Sequence, residues 1–387
     1  MYILTRYVVW EVIKLFLAAL GGLTLVFTLG MGVQEGMKMG LTAGVILQIL
    51  PYMLPEMLGI TIPVAILYSV TSVFGRMTGT NEIVAIKSLG INPMTLVWPV
   101  LLLTAFLSLG TVWMYEITAT WCRPGRLTVV TQSIEEVAYS ILRTNHTFGR
   151  ECDPFSITVK GVESRNGRQV LIKPTITVKG PPKITIVAAE AELQTDLKDQ
   201  VLWLIYRDSS VEVEGQGRIG AIVPGEQQHA ISIAPPPPSP YHRDWVSTRS
   251  IPIKIADLQA GLAGFEKIAE ANRALGQTVS KEDADKIEEY RFLIRRLRTE
   301  PYRRWANGFT CLCFALLGIP VAMLWRHADG LTNFFVCFLP ILVAYYPMLM
   351  CADDLTTSGT LPPIFFWMGN VVLGGVGIFL LKRAIRH

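Results

Sequence analysis

The stretch GRMTGTNEIVAIKSLGINP, residues 75–93, is the only polar interval in an apolar block running from Val45 to Tyr115. It is too short to be a domain. Its period is helical: Ile83, Ile86 and Gly90 fall on one side, with Glu82 and Lys87 displaced from them. Asn81 stands where a capping residue opens such a helix, and Gly90 where a glycine closes it. A short helix between two apolar runs, with one carboxylate near its N-terminus, suits docking to another protein. An ordinary interfacial loop is the blander reading of the same residues. Either way the flanking runs become membrane spans, and that decides the fold class.

Composition agrees. Of 387 residues, 51% are hydrophobic and 17% charged, and the mean hydropathy is positive. A soluble chain of this size is less apolar. The apolar residues form two blocks, about 8–116 and 305–381, separated by about 190 residues of ordinary soluble composition. The net charge of +4 is small, and no basic stripe with stacking aromatics points to nucleic acid. Arg6 and Lys14 precede the first apolar run, but no small-residue cleavage site ends it, so it does not read as a removed leader. Four of the six cysteines, Cys311, Cys313, Cys337 and Cys351, fall in apolar runs, where a thiol behaves as a small hydrophobe. Cys311-x-Cys313 lacks the second pair a metal site needs, so no metal is expected. Cys122 and Cys152 fall in the soluble part and are open to bridging there.

In chain order, residues 2–14 (YILTRYVVWEVIK) read as an amphipathic helix on the membrane surface. Leu15 to Val33 is a first span without charge, long enough for ~30 Å of hydrocarbon. The loop after it holds Glu35 and Lys38. The second run, Val45 to Phe74, contains Pro51, Pro55 and Pro63 and is expected to be kinked or broken. Glu56 is its only charge; it is a possible intramembrane polar site, or a wetted group at the outer end. Met94 to Tyr115 is the third span. Beyond residue 145 the period becomes two. Short β-branched segments, such as 156–162, 170–178, 183–191, 201–207, 211–213 and 230–233, predict an antiparallel sandwich, jelly roll or open barrel. A Pro-rich strip, Pro235 to Pro240, suits an extended spacer. Residues 256 to about 300 read as helical, with Ser280 and Asp283 as a capping box. Three further spans follow, Trp305 to Trp325, Leu331 to Cys351 and Ile364 to Leu381. The expected domains are 1–116 with the segment 75–93, 117–304 with strands over about 147–255, and 305–387.

Six spans put both termini on one side. The short segments there carry eight cations, Arg6, Lys14, Arg76, Lys87, Arg326, Lys382, Arg383 and Arg386. The short loops opposite, 34–44 and 352–363, carry only Lys38. The positive-inside rule then places termini and residues 75–93 in the cytoplasm and the β domain outside. Arginines 123, 126, 303 and 304 run against this trend, though long translocated domains are largely exempt from it.

Three spans, a β domain, three spans and a helical loop after span two resemble the LptF/LptG permease family, also called YjgP/YjgQ. The match is carried by Tyr7 to Lys14 (YVVWEVIK, closer to LptF), Leu54-Pro55-Glu56-Met57, Ile62-Pro63, Asn81-Glu82-Ile83, Leu89-Gly90, Glu289 to Pro320, Leu361-Pro362-Pro363, Trp367 and Asn370. The resemblance implies the membrane subunit of an ABC transporter in the bacterial inner membrane. Such a subunit pulls lipopolysaccharide from the outer leaflet. It pairs with a second LptF/LptG-like subunit above a cytoplasmic ATPase dimer, and its jelly roll continues into a periplasmic bridge of LptC/LptA-like proteins. It implies that Glu82 contacts the ATPase, within a coupling segment that includes Arg76, Ile83, Ile86, Lys87 and Gly90. It also places Lys38 near lipid A phosphates. Arg303 and Arg304, at the same depth, are added as headgroup candidates on charge and position. No Gly-x-x-x-x-Gly-Lys-Ser/Thr loop is present to cradle a nucleotide, so no enzymatic activity and no cofactor are expected and the energy must come from a partner. A non-transporting envelope scaffold or sensor is the alternative. An intramembrane hydrolase using Asp353 and Asp354 is disfavoured, because neighbours on a helix point about 100° apart.

Overall fold

The computed structural model describes residues 2–39, 41–148, 155–165, 168–178, 184–196, 201–213, 222–232, 241–274, 281–325 and 330–386. Six helical segments among them are long and apolar enough to cross a membrane: Ile3–Met37, Ala43–Gly79, Met94–Val130, Asp283–Leu324, Gly330–Ser358 and Pro363–Arg386. The chain divides into two compact units, Met1–Thr28 with Tyr52–Pro124 and Pro238–His387, and Leu29–Pro51 with Gly125–Pro237.

The surface helix and the first span expected separately form one helix, α1 (Tyr2–Met39). Its buried positions recur every four residues, Val8, Val12 and Phe16 and then Thr24 and Thr28, so a single stripe faces the protein and no break is needed. Thr24 meets Thr61 across 3.0 Å. The second run, expected to be kinked or broken, is not broken: α2 (Ala43–Gly79) passes through all three prolines. Pro63 cannot donate to the Gly59 carbonyl. The Tyr115 hydroxyl donates to that carbonyl instead, at 3.5 Å, which is how packed spans tolerate proline.

A seven-residue helix, α3 (Glu82–Ser88), precedes α4 (Met94–Ile117). A π-helical turn at Thr118–Cys122 leads from α4 into α5 (Arg123–Gln132), and α6 (Ile134–Asn145) follows. After the sheet come α7 (Ile251–Ala274) and α8 (Lys281–Leu324). The re-entry helix and the fourth span are therefore one helix of 44 residues. Next are α9 (Gly330–Pro340), a second π-helical turn at Ile341–Tyr345, α10 (Tyr346–Ser358) and α11 (Met368–Arg386). In both π-turns a proline, Pro124 or Pro347, stands two residues beyond the last widened position. A proline ring collides with the carbonyl four residues earlier, and a wider turn relieves that collision.

The spans share a core in which Val70, Phe74, Val97, Val100, Ala315 and Ile319 are buried. Small residues bring backbones together: a Cβ on Gly308 would lie 3.2 Å from the Ser108 carbonyl oxygen, and one on Gly377 would lie 2.8 Å from that of Leu316.

Among the described residues eight strands form one sheet: β1 (Thr147–Phe148), β2 (Phe155–Thr158), β3 (Gly161–Arg165), β4 (Arg168–Ile172), β5 (Thr175–Val178), β6 (Ile184–Asp196), β7 (Val201–Val213) and β8 (Ile222–Ser232). Every pairing is antiparallel. One side of β6 pairs first with β5 and then with β4, and its other side pairs with β7, so the sheet curls into a half-barrel. Segment 170–178, expected as one strand, is divided at Lys173, whose φ is +48°. Segments 201–207 and 211–213 instead join into one strand, through an irregularity between Arg207 and Ser209. Leu142 of α6 packs with Ile157, Leu171, Ile176 and Leu204 in the sheet's core. Cys152, Ser280, Arg326 and the strip Pro235 to Pro240 lie outside the described residues, and with Cys152 the open question of a bridge to the buried Cys122.

Candidate functional site

Two places in the spans combine polar chemistry with defined geometry. The first is α3. Its two isoleucines, Ile83 and Ile86, are buried in the shared core of the spans. They seat the helix and present no surface to a partner. Lys87 donates to the Ala384 carbonyl of α11 at 2.9 Å. Arg76, just before α3, is 3.2 Å from Glu11. Asn81 does not cap: its backbone is left-handed at φ +59° and its side chain makes no cap hydrogen bond. Gly90 does close the helix. Its N–H donates to the Lys87 carbonyl and that of Ile91 to the Ile86 carbonyl, a Schellman closure that requires the φ of +75° found at Gly90. Glu82 accepts a hydrogen bond from the Thr80 hydroxyl at 3.0 Å and stays partly exposed. The apolar groups offered outward are Val84 and Leu89, the latter 75% exposed. Sequence reasoning missed both. The four-residue spacing from Glu82 to the inward Ile86 conceals that Leu89 lies past the helix end.

The second place is a cavity of about 440 Å³ bounded by α2, α4, α8 and α10. Its apolar wall includes Ile60, Pro63, Leu349 and Phe366. At its polar end lies a chain of ion pairs. Glu56 accepts from Arg123 at 2.8 Å, and Arg123 is 3.4 Å from Asp244. Asp244 accepts from Arg303 at 2.6 Å. Arg303 and Arg304 both donate to Glu300, which is 1% exposed. Arg304 reaches on to Glu116 at 2.8 Å, and Arg243 pairs with Asp353 at 2.6 Å. Burial pushes the Asp244 carboxyl upward, but the guanidinium groups of Arg303, Arg123 and Arg243, with His242, outweigh it and hold the carboxyl below its ordinary value. Burial lowers His242 in turn.

The expected site residues fall differently on this framework. Glu56 is neither isolated nor simply wetted; it lines the cavity and is paired. Arg303 keeps 22% of its side chain exposed. Arg304 is 4% exposed, and its five N–H groups go to Glu300, Glu116, Thr248 and the carbonyls of Arg243 and Val246. Lys38 lies in the last turn of α1, and its side chain is outside the described residues. Asp353, considered for acid–base chemistry, is held by Arg243. Sequence reasoning also missed Arg243, Asp244 and Thr248, a short segment marked only by its position after the Pro-rich strip.

The arginines that run against the charge trend are thereby explained. Arg123, Arg303 and Arg304 sit in the ion-pair chain, and Arg126 is 3.5 Å from Glu35. The family described as lipopolysaccharide export system permease LptF/LptG matches residues 6–383. The chain belongs to the LptF/LptG permease family. No curated protein matches it. Membership makes the chain a multi-pass inner-membrane transporter component with a role in lipopolysaccharide export. It also makes the curled sheet the jelly-roll domain of an LptF/LptG permease. Other Lpt proteins join such permeases in an export complex.

Proposed function

We propose that this chain is the transmembrane subunit of an ABC transporter that extracts lipopolysaccharide from the inner membrane and passes it to a periplasmic bridge of LptC/LptA-like jelly rolls. A separate cytoplasmic ATPase dimer drives it, and a second LptF/LptG-like subunit completes the pair. Both termini lie in the cytoplasm and the β domain in the periplasm, in keeping with the eight-to-one count of short-segment cations. The observation that carries this reading is α3: a short helix seated by Ile83 and Ile86, closed at Gly90, with Glu82 and Leu89 left open to a partner. Energy enters there, because the sequence has no phosphate-cradling loop of its own. Lys38 is the proposed contact for lipid A phosphates. Arg304, fully engaged within the protein, shapes the wall beside Arg303. The alternative is a scaffold or sensor without transport.

The test is reconstitution of the complex in vesicles. Nucleotide-dependent release of lipopolysaccharide to a soluble jelly-roll acceptor is expected, with crosslinking to lipid at position 38 reduced by Lys38→Glu. ATPase binding without any lipid release would favour the scaffold.

A further inference from the structure

Helix α11 is held at both ends and touches a neighbouring backbone between them. Near its C-terminus the Ala384 carbonyl accepts from Lys87 of α3 at 2.9 Å. The last carbonyls of a helix have no donor within it, and a cation there also meets the negative end of the helix dipole. Seven residues earlier, Gly377 lies so close to α8 that a Cβ would stand 2.8 Å from the Leu316 carbonyl oxygen. Seven residues earlier again, Asn370 donates to the Ala306 carbonyl of α8 at 2.7 Å and accepts from the Tyr345 hydroxyl at 2.8 Å. Thr310 of α8 completes that joint, 2.8 Å from the same hydroxyl. A Cβ on Gly369 would come within 2.8 Å of the Tyr345 ring. Tyr345 ends the second π-helical turn and, with Thr310, lines the cavity between the spans.

The two intervals of seven put Asn370, Gly377 and Ala384 on one face of α11, and all three are buried. Gly377 is the midpoint, with ~10 Å of helix on either side at 1.5 Å per residue. A helix that meets its neighbour at a bare backbone contact turns about that point. The π-helical turn at the far end is widened by one residue, and packed elements of this kind hold discrete arrangements rather than deforming continuously. We propose that α11 is a lever that carries the displacement of α3 to the cavity wall. A pull on Lys87 turns α11 about Gly377 and shifts Asn370 against Tyr345, so the wall at Tyr345 follows the state of the ATPase. Lys87, Asn370 and Tyr345 are positioning residues in this scheme, each acting through the next. The inference rests on the reading of α3 as the ATPase contact.

The test uses the complete complex in vesicles and measures lipopolysaccharide released per ATP hydrolysed. Lys87→Met removes the donor to Ala384, and Tyr345→Phe removes the hydroxyl while keeping the ring. Each should lower the ratio at least about fivefold, the small end of coupling between sites. Lys87→Arg keeps a donor and should stay near the parent. The double variant decides between a lever and two local defects. Ala384 and Asn370 are ~20 Å apart along α11, and at that separation independent losses multiply, to on the order of 25-fold. On one lever the second loss adds nothing, and the double variant should match the lower single. If Tyr345→Phe does not assemble, Gly369→Ala crowds the same ring and takes its place. A ratio unchanged by Lys87→Met, or a double variant that shows the full product, overturns the proposal. ATPase copurification on the same samples reads docking separately. A failed lever with copurification still sensitive to Glu82→Ala or Leu89→Asp leaves the docking reading standing, whereas copurification indifferent to both overturns that reading and the lever with it.

Discussion

Arg243 and Asp353 meet fork to fork, Nη1 to Oδ1 at 2.6 Å and Nη2 to Oδ2 at 2.7 Å, across 110 residues of chain. Arg243 opens the short turn Arg243–Trp245, which follows the β insertion, and Asp353 belongs to α10. The planar guanidinium is the one cation whose geometry matches a carboxylate in this way. The pair thus pins the returning chain to a span. Neighbouring contacts repeat the device: Arg304 holds the carbonyls of Arg243 and Val246, and Glu116 accepts from the N–H and hydroxyl of Thr248.

Asp353→Ala should therefore cost more than a surface ion pair. Arg243 is only 13% exposed, and losing its partner leaves a largely desolvated charge. Full burial would make that ~3–5 kcal/mol; because Asp353 itself is partly wetted, about 1–3 kcal/mol is expected. Arg243→Lys should lose about half as much, since a point charge keeps attraction but not the fork. Thermal unfolding of the purified protein in detergent measures both, and equal midpoints for all three proteins would show the pair to be inert.

The fold was legible where the physics is local. Six spans and an all-β insertion follow from run length and period, and residues such as Val8, Val12 and Phe16 declare their face by spacing alone. What could not be read depends on contacts distant in sequence. Nothing near Pro63 says that Tyr115 supplies the Gly59 carbonyl with a donor, so a kink or a break was expected in a helix that is not broken. Arg123 registered only as an exception to a charge rule, and Arg303 and Arg304 as that and as headgroup candidates, because Glu56, Glu116 and Asp244, which join them into one chain of ion pairs, come from other elements. In α3 the period correctly grouped Ile83 with Ile86, but only packing shows that this face turns inward.

Glu82→Ala tests the coupling role. Among the described residues the Glu82 carboxylate takes one side-chain hydrogen bond, from Thr80, so its removal should leave membrane insertion and thermal stability unchanged within ~0.5 kcal/mol. ATPase copurification and nucleotide-dependent lipid release should both fall. Leu89→Asp places a charge on the outward apolar position and should act in the same direction. Ile83→Asp should instead unfold the span core, since it buries an unpaired charge. Copurification of the ATPase that is unchanged by both Glu82→Ala and Leu89→Asp would remove α3 from the contact.

Gly90→Ala isolates the closure of α3 from its chemistry. A Cβ at Gly90 meets nothing within 4 Å, so no clash enters. The cost is conformational, because φ of +75° disfavours any side chain, and about 1 kcal/mol is expected. Gly90→Asn should cost less, since asparagine tolerates the left-handed region better. If coupling depends on how α3 is held, ATPase activation should follow the same order, glycine above asparagine above alanine. Full activation in the alanine variant would mean the helix end is not part of the contact.

Tyr139 joins α6 to the sheet through one oxygen. Its hydroxyl donates to the Gln169 carbonyl at 2.7 Å and accepts the Leu193 N–H at 2.8 Å. Burial pushes the phenol up to about 12 despite the Leu193 bond, so it stays protonated at all working pH values. Tyr139→Phe keeps the ring and strands both backbone groups, for a cost of about 1–3 kcal/mol. Hydrogen exchange at Leu193 should accelerate accordingly, and exchange unchanged from the parent would show water replacing the hydroxyl.

Asp244 gives the ion-pair chain a pH signature. Its ordinary value is 3.8, and the folded value lies below that because Arg303, Arg123 and Arg243 favour the carboxylate over the opposing effect of burial. A depressed carboxyl contributes stability that is complete above the unfolded value and is lost as pH falls through the folded one. The unfolding midpoint of the parent should therefore exceed that of Asp244→Asn by a constant amount from pH 7 to about 5, and the gap should close below about 4. His242 lies 3.8 Å from Asp244, whose carboxylate favours the imidazolium against the lowering effect of burial, so both proteins carry His242→Gln, which removes its titration from the difference. A gap that widens on acidification would reverse the sign, and would mean that Asp244 is held protonated between Arg303 and Arg123 rather than charged.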